Sequence, residues 1–339
     1  MALLCALTTA PAAGAATFKP ISTNGLGLTK TGLGDAAYAQ IAALEKTHPK
    51  ASVGDVIASA NRSVRPLGSS PALGAVKNVQ GGFRWNTGDD NVSYWYPQGI
   101  TGSADAVDGG VVDGHRELLV SWYSKNGKGA RISFVNADKL SSAKYRHVLL
   151  VDRNLKPIST HAGGIAWYGH YLYVAETHVG LRVFDLQHIL KASIEGYAYA
   201  LPQAGTFRTT SKLTFSFVSV DRGSSSLLTG EYVAGNAGGR LVQWPLGADG
   251  LVVPGAAKAA WTAPIKQVQG GLLRGGRLTT SSSNGSSAGT LLTGAPNANA
   301  TAQPWSIGAE DLSFAPTSGR LYSLTEKPGQ RVVFAVPAP

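Results

Sequence analysis

Acid–base chemistry in this sequence would depend on three carboxyl groups and one histidine. Glu176 and Glu231 occupy equivalent positions, each four residues after the first leucine of an apolar run. Glu310 starts another such run, and His161 stands shortly before a pair of glycines. An imidazole titrates near neutral pH, and glycoside hydrolysis uses two carboxyl groups about 5–10 Å apart. Catalytic roles are therefore expected for Glu310, Glu176 and His161 if the fold brings them together.

Each of these residues also has a structural interpretation, which the sequence leaves open. His161 could be a polar plug that hydrogen-bonds neighbouring backbones, and Glu176 could accept hydrogen bonds from N–H groups of its own turn. Convergence of the carboxyl groups in one pocket would favour an enzyme. Carboxyl groups that are bonded to their own loops would favour a binding protein.

Other residues suit ligand binding rather than catalysis. Indole rings stack on sugar rings, so Trp95 and Trp122 are expected to be sugar platforms. Polar side chains at the starts or ends of apolar runs are further ligand-binding candidates: Gln98, Glu231, Gln269 and Asp311. The acidic stretch Gly-Asp-Asp-Asn at residues 88–91 is instead typical of a turn.

Familiar catalytic motifs do not occur in the part of the sequence that carries these runs. It has no G-x-S-x-G, P-loop, HExxH, zinc-ligand spacing or dinucleotide fingerprint. With 20 acidic residues among 339, a site for several calcium ions is not expected either. The sequence therefore predicts no cofactor and no metal.

The composition indicates a large apolar core built from short strands. Hydrophobic residues make up 43% of the chain and charged residues only 15%, while glycine occurs 42 times. The net charge is +10, but the basic residues are scattered and never form a long run. Nucleic-acid binding needs a concentrated basic footprint and is not expected. A diffuse basic surface suits anionic cell-wall polymers or acidic glycans.

The first residues have the pattern of a secretion signal. An apolar stretch over residues 2–7 leads to Ala13-Gly14-Ala15, which matches a cleavage site, although a positively charged start is missing. Residues 1–15 are therefore predicted to be removed, leaving a secreted protein that begins near Ala16. Because Cys5 is the only cysteine, that protein would contain none. No other apolar stretch approaches the length of a membrane span.

Residues 16–74 are predicted to form an N-terminal segment with a pair of helices. Apolar residues at helical spacing follow Asp35, which is expected to be the N-cap. Ser52 and Asp55 have the spacing of a capping box before the second helix. The Pro/Gly/Ser-rich residues 65–74 are then expected to be a linker.

From residue 75 to 339 the sequence predicts repeated groups of four strands. One group is expected at residues 163–169, 171–177, 180–186 and 197–203, and the same order of apolar runs and turns can be laid over the rest. Five such units, each of about 50 residues, predict an all-β fold, a five-bladed β-propeller. A six-bladed ring with a further blade within residues 66–97 is the alternative.

The last unit lacks its fourth strand, whereas a spare strand lies in residues 81–96. Closing a ring of sheets requires the two to pair, because an unpaired strand edge would otherwise remain. We therefore expect residues 81–96 to pair with residues 331–337. In such a ring the first strands line a central channel, so the candidate residues named above are expected to surround one funnel.

Two stretches of the chain are similar to known propeller sequences. Residues 163–186, "GGIAWYGHYLYVAETHVGLRVFDL", and residues 308–336, "GAEDLSFAPTSGRLYSLTEKPGQRVVFAV", resemble blades of secreted bacterial β-propellers. Most of the chain resembles uncharacterised extracellular proteins of actinobacteria such as Streptomyces, which implies a location and a fold but no activity. The last unit also distantly resembles the pattern of esterase-like or phytase-like propellers.

Three functional hypotheses follow for a secreted, monomeric protein. The first is a propeller that binds an extracellular glycan or cell-envelope polymer in its funnel. The second is a carbohydrate-active hydrolase or lyase that uses the funnel carboxyl groups and His161. The third is an esterase- or phytase-like hydrolase. The fold alone does not decide among them.

Overall fold

The computed structural model describes residues 16–339. Residues 1–15, with Cys5 and the expected secretion signal, lie outside the described residues. The described chain is predominantly antiparallel β-structure with a few short helices. Within these residues, no helix has the length and apolar character needed to cross a membrane.

The N-terminal segment contains the two expected helices and several short strands. Its helices are α1 (Asp35–Glu45) and α2 (Val53–Ala58). The predicted capping box is confirmed, because Ser52 and Asp55 each accept a hydrogen bond from the other's backbone N–H. The expected N-cap was wrong by one residue: Gly34 is the N-cap of α1, and Asp35 lies in the first turn. The strands are β1 (Lys19–Ile21), β2 (Gly27–Thr31), β3 (Lys50–Ala51), β4 (Arg62–Ser63) and β5 (Arg65–Pro66).

One strand and one helical turn lead into the first complete group of strands. They are β6 (Gly81–Arg84) and α3 (Thr87–Asn91). The first group then consists of β7 (Trp95–Gly102), β8 (Glu117–Ser124), β9 (Ala130–Asn136) and β10 (Lys144–Val151), with the short helix α4 (Ser103–Ala106) after β7. The stretch at residues 66–97 thus holds no four-stranded group of its own.

The second and third groups each contain an additional short strand. The second group has the strands β11 (Ile165–Tyr168), β12 (Tyr171–Glu176), β13 (Gly180–Asp185), β14 (Ile189–Ile194) and β15 (Tyr197–Thr209). The third group has the strands β16 (Phe215–Asp221), β17 (Ser226–Glu231), β18 (Arg240–Pro245), β19 (Gly255–Ala256) and β20 (Ala259–Thr262).

The fourth and fifth groups complete the chain. The fourth has the strands β21 (Val268–Arg274), β22 (Arg277–Asn284), β23 (Ser287–Gly294) and β24 (Thr301–Ile307). The fifth has the strands β25 (Ala309–Ala315), β26 (Arg320–Thr325) and β27 (Val332–Pro337). In the second group, the first three strands lie within two residues of the predicted ranges 163–169, 171–177 and 180–186, and the fourth strand is an exception.

That exception is the strand predicted at residues 197–203. Its residues pair with β14 and run parallel to β10, with Leu149 opposite Ala200. The strand that completes the second group on β13 is the later part of β15, from Gln203 to Arg208. The long strand β15 therefore covers the edge of β10 with its first half and the edge of β13 with its second, which joins two sheets into one.

The predicted closure of the last group is confirmed. Strand β6 pairs antiparallel with β27, with Arg84 opposite Val332 and Gly82 opposite Phe334. The first strands of the five groups also contact one another in order, from β7 through β11, β16 and β21 to β25, and β25 contacts β7. The sheets therefore surround a common axis.

Apolar clusters fill the spaces between neighbouring sheets. One lies between the first and fifth groups and contains Trp85, Trp122 and Leu324, all of them fully buried. Another lies between the second and third groups and contains Tyr173 and Trp244. Burial of these faces is the main force that holds the sheets side by side.

The N-terminal segment is part of the sheets rather than a separate unit. Strand β1 pairs with β20, β2 with β15 and β19, β3 with β14, and β4 with β10. The expected linker at residues 65–74 was wrong in its first residues, because β5 pairs with the outer edge of β6. Each of these strands covers a sheet edge that would otherwise expose unpaired N–H and C=O groups.

Candidate functional site

The first strands approach one another closely at one end of the axis because glycine lies at the contacts. A Cβ atom on Gly99 would stand 2.4 Å from the carbonyl oxygen of Gly163. A Cβ atom on Gly270 would stand 2.5 Å from the Cα atom of Asp311. No larger residue fits without moving a backbone. The glycines that follow Gln98 and Gln269 therefore let neighbouring strands meet directly.

The polar residues beside these contacts form hydrogen bonds from strand to strand. Ser216 Oγ on β16 lies 3.2 Å from Gln269 Oε1 on β21 and donates to it. Gln269 Nε2 donates to Glu310 Oε1 on β25 at 3.3 Å. Gln98 Nε2 on β7 donates to Glu326 Oε2 at 3.2 Å. Three of the predicted residues, Gln98, Gln269 and Glu310, are thus found around one end of the axis.

A cavity of about 540 Å³ opens beside this group, and we call it the funnel. Its lining residues carry hydroxyl, amide and imidazole groups, although most of the surface that they expose to the cavity is apolar. The residues that line it are His161, Thr177, His178, Thr214, Ser216, Tyr232 and Gln269. Of the predicted site residues, His161 and Gln269 line the funnel directly.

His161 lies against an aromatic wall. Its ring centroid is 4.5 Å from that of Tyr123, with the two rings inclined by 35°. Desolvation at this position, and then the positive charge of Lys125, lower the pKa of the imidazole. The side chain keeps an exposed edge. His161 is therefore a neutral imidazole at pH 7, able to donate one hydrogen bond and accept another.

Glu310 lies behind Gln269 and is only 2% exposed. Burial, then the carboxyl groups of Glu326 and Asp311, raise the pKa of Glu310 well above its usual range. The shift favours the protonated form of the Glu310 carboxyl group. This group reaches the funnel through its hydrogen bond with Gln269 and is not among the lining residues.

Asp311 was expected to bind a ligand, and the structure places it inside the fold instead. Its side chain is fully buried, and Oδ2 accepts hydrogen bonds from the backbone N–H groups of Ile100 and Ile165, each at 3.1 Å. Asp311 thus fastens β25 to β7 and β11 across the axis. Burial raises the pKa of this carboxyl well above its usual range.

Glu176 and Glu231 do not converge with Glu310. Glu176 forms an ion pair with Arg182 at 2.5 Å. Glu231 accepts from Nε and Nη2 of Arg240, both at 2.7 Å, and from the backbone N–H of Arg240 at 3.0 Å. Burial would raise the pKa of Glu231, but the hydrogen bonds from Arg240 hold it below its usual value. The two positions are equivalent, as predicted, but each carboxylate serves to fasten the next strand.

Neither tryptophan offers a sugar platform in the funnel. Trp122 is fully buried, its Nε1 donates to Ser133 Oγ at 2.8 Å, and its ring packs on Trp85. Trp95 is 4% exposed, and the guanidinium of Arg131 lies over its ring at 4.3 Å. Both rings fill the space between sheets and neither lines the funnel, although Trp95 borders a second cavity. The tyrosine that lines the funnel is Tyr232, which the sequence did not single out, and Tyr123 packs against His161.

The acidic stretch at residues 88–91, for which the sequence predicted a turn, lies in α3. It contributes to a buried group of charged side chains, which we call the Asp89–Asp90 cluster. Asp89 accepts from Arg131 Nη2 at 2.9 Å, Tyr145 OH at 2.6 Å and His147 Nε2 at 3.1 Å, and Arg62 lies 3.1 Å away. Burial would raise the pKa of Asp89, but these partners, His147 first, hold it well below its usual range.

Asp90 is bound as completely as Asp89. It accepts hydrogen bonds from Arg65 and, at 3.3 Å, from Arg84, and from the backbone N–H of Arg331 at 2.9 Å. The Arg331 guanidinium itself donates to the carbonyl oxygen of Asp89 at 2.7 Å. The cluster therefore links the start of the first group to β5, β6 and β27.

One contact within the cluster has the composition of a hydrolase triad. His147 Nδ1 lies 2.9 Å from Ser133 Oγ, and its Nε2 lies 3.1 Å from Asp89 Oδ1. Ser133 is fully buried, and Trp122 donates to the same hydroxyl. Burial and the charge of Arg131 lower the pKa of His147 to about 3. No substrate reaches this serine, so the contact is a structural hydrogen-bond chain.

Another buried acid lies away from the funnel. Glu117 on β8 is 2% exposed, and neither carboxyl oxygen has a hydrogen-bond partner among the described residues. Burial, then the charges of Asp113 and Asp138, raise the pKa of Glu117 to about 9. Across residues 16–339, no group of three or more His, Cys, Asp or Glu side chains is placed to hold a metal ion.

Comparison with known proteins shows only a remote likeness. No protein-family model matches the chain. No curated protein sequence matches it either. Among solved structures, hydrazine synthase of Kuenenia stuttgartiensis is 12% identical with a TM-score of 0.34, over 73% of this chain and 88% of that chain. A chain from a study of two prolyl endopeptidases is 14% identical with a TM-score of 0.35, over 88% of this chain and 44% of that one. Likeness at this level carries no argument about function.

Proposed function

We propose that the protein is a secreted, five-bladed β-propeller that binds a glycan or cell-envelope polymer in its funnel. Five groups of strands and the ordered contacts between their first strands support the number of blades. The pairing of β6 with β27 supports a closed ring. The pattern of residues 1–15 is the support for secretion.

The observation that carries the binding proposal is the chemistry of the funnel wall. Gln269, Ser216, Thr177 and Thr214 offer amide and hydroxyl groups, and Tyr232 offers a ring with a hydroxyl at its edge. Such groups match the hydroxyls and apolar faces of sugars. The volume of about 540 Å³ lies in the usual range for small-molecule pockets, about 300–1,000 Å³.

The positions of the acidic residues favour binding over catalysis. A glycoside hydrolase needs two carboxyl groups about 5–10 Å apart that face the substrate. Glu176 and Glu231 are held by arginines at the ends of their strands. Glu310 is covered by Gln269. The lining residues of the funnel therefore include no acidic side chain.

One observation supports hydrolase or lyase activity as the second candidate. Glu310 is a carboxyl group whose pKa is raised by burial, and a raised pKa favours the protonated form that a general acid needs. Glu326 is the nearby carboxyl that contributes to this shift, and it accepts from Gln98. A substrate that displaced the Gln269 side chain would meet Glu310 directly. In such an enzyme, Glu310 would donate the proton and His161 would bind the substrate.

The binding proposal is tested by measuring retention on a panel of plant and microbial polysaccharides, with product release assayed in the same samples. Gln269→Ala removes the amide that both lines the funnel and holds Glu310. We expect about tenfold weaker retention, as for loss of hydrogen bonds at a partly buried site. The matched control is Gln303→Ala, because Gln303 lies exposed on β24. Equal retention by the two variants would refute the proposal.

Glu310→Gln separates the two candidate functions. The substitution keeps the size and a neutral, hydrogen-bonding group, so folding should be preserved. A general acid at this position predicts a loss of about a hundredfold or more in rate with little change in affinity. A binding protein releases no product from any polysaccharide, before or after the change.

A further inference from the structure

A second cavity, of about 290 Å³, lies at the side of the first sheet. We call it the basic pocket, because its walls carry several positive charges and few apolar groups. It is lined by Asn61, Arg62, Tyr94, Trp95, Lys128, Arg131, Arg146, His147, Glu195, Gly196, Tyr197 and Ala198. None of these residues lines the funnel.

The positive charge of the basic pocket exceeds what its acids neutralise. Arg62, Lys128, Arg131 and Arg146 contribute four permanent cations. Asp89 lies behind the wall and balances part of this charge through Arg62 and Arg131. The remaining acid of the wall, Glu195, is a solvent-exposed side chain.

Arg131 is a buried cation in the wall of the basic pocket. It is 5% exposed, and its Nη2 donates to Asp89 at 2.9 Å. Its buried Nε has no hydrogen-bond partner among the described residues. A guanidinium donates in a planar fork that suits an oxyanion, and an unpaired buried donor is costly. The side chain is thus held in place by Asp89 and, through Nη1, by the Tyr197 hydroxyl at 3.4 Å, and it fixes a positive charge in the wall of the basic pocket.

We propose that the basic pocket binds the carboxylate or sulfate group of an acidic sugar. The four cations select an anionic group, and arginine favours an oxyanion that can accept two hydrogen bonds. The cavity is larger than a single inorganic ion requires, and Asn61, Tyr94 and Tyr197 add amide and hydroxyl groups for the rest of the ligand. An acidic sugar combines both features.

The basic pocket does not depend on the proposed function of the funnel. The two cavities share no lining residue, so a variant of one leaves the other intact. If both sites bind, one polymer that carries neutral and acidic sugars could occupy them together. Such a chain would bind more tightly than either sugar alone through effective concentration.

The test is calorimetric titration of the full chain with galacturonate at constant ionic strength. Galactose is the neutral counterpart, and inorganic sulfate is a competing oxyanion. We expect saturable binding of galacturonate, competition by sulfate and no binding of galactose at this pocket. Binding that never saturates, or equal binding of galactose and galacturonate, would overturn the proposal.

Matched lysine variants separate the pocket from the general surface charge. Lys128→Gln removes a cation from the pocket wall, and Lys139→Gln removes an equal charge from an exposed loop elsewhere. We expect about tenfold weaker galacturonate binding for Lys128→Gln and no change for Lys139→Gln. An equal loss in both would show that only the net charge attracts the ligand.

Arg146→Gln is the second variant of the pocket, and a thermal melt checks that it folds. It should weaken galacturonate binding about as much as Lys128→Gln. Unchanged affinity in both pocket variants would contradict the proposal, whatever the result for the funnel. Retention on neutral polysaccharides should stay unaltered in both, because that property belongs to the funnel.

Discussion

The Asp89–Asp90 cluster and the axis both bury carboxyl groups, but their surroundings have opposite effects on the pKa of a carboxyl group. In the cluster, His147, Arg131 and the Tyr145 hydroxyl surround Asp89 and keep its pKa low. At the axis, Glu310 and Asp311 face backbone N–H groups and amides without a cation, and burial raises their pKa. The cluster favours the charged form of Asp89, and the axis favours the protonated forms of Glu310 and Asp311.

This difference shows which region can take part in binding. The carboxylates of the cluster accept from several partners each, so an incoming ligand finds no free oxygen there. At the axis, a single amide, Gln269, stands between Glu310 and the funnel. A region of saturated charges serves stability, whereas one of sparsely bonded neutral groups can rearrange around a ligand.

The largest effect is expected from deleting residues 330–339. The deletion removes Arg331 from the cluster and all of β27 from the fifth sheet, and it leaves β6 and β26 with unpaired edges. We expect no cooperative thermal unfolding. Deleting only residues 338–339 is the control and should lower the melting temperature by a few degrees at most. A truncated chain with an unchanged melt would show that the cluster and the closure are dispensable.

Asp90→Asn should be the most damaging single substitution. It leaves Arg65 and Arg84 without their carboxylate, and breaking a buried ion pair typically costs about 3–5 kcal/mol. The free energy of unfolding in urea measures the loss. The control is Asp35→Asn, at an exposed helix start, which should change stability by less than about 0.5 kcal/mol. Similar values for the two variants would contradict the role of the cluster.

Glu117 is an acid that is buried without a cation. In contrast to Asp90→Asn, Glu117→Gln should therefore raise stability. Because the folded pKa of Glu117, about 9, exceeds the value of 4.5 for an exposed glutamate, the folded state holds the extra proton between these values. Unfolding releases that proton, so this group lowers stability as pH rises through the window.

Relative to the native chain, Glu117→Gln should therefore gain up to about 1.4 kcal/mol of stability per pH unit between pH 5 and 8. Urea unfolding at several pH values measures this gain. A constant difference between the two proteins would mean that Glu117 is ionised in the folded state.

The smallest effect is expected for Glu176→Gln. Its ion pair with Arg182 is partly exposed, and such pairs contribute about 0.2–1 kcal/mol. The melting temperature should fall slightly, while ligand retention and any product release stay unchanged. A loss of ligand retention or of reaction rate without a loss of stability would show that Glu176 takes part in binding or catalysis. Glu231→Gln, whose carboxylate is more deeply bound, should cost more stability with the same lack of effect on binding.

The positions of the strands could be predicted because local signals agree with one another. Apolar runs end at Gly-bearing turns, and the missing fourth strand of the last unit is matched by β6. The second half of β15 could not be predicted. Its pairing depends on which distant edge is free, and no nearby residue encodes that choice.

The candidate site was predictable only where a residue's place in the repeat sets its environment. Gln98, Gln269 and Glu310 start the first strands, and they meet at one end of the axis. The roles of Asp89 and Arg131 depend on contacts between distant segments. From the sequence alone, a carboxylate such as Glu231 could not be recognised as the partner of an arginine. The ion pair with Arg240 becomes evident only once the strands are paired.

The pairing of β6 with β27 has a consequence for the order of events in folding. Strand β6 (Gly81–Arg84) pairs with β27 (Val332–Pro337), which is made much later, and β1 and β2 also pair with much later strands. Such distant pairings carry a large loop-closure cost and make folding slow. Until the last strand arrives, the early strands remain open edges on which other chains could pair. Rapid synthesis at high concentration should therefore favour aggregation over folding, even though β6 and β27 pair with each other in the folded protein.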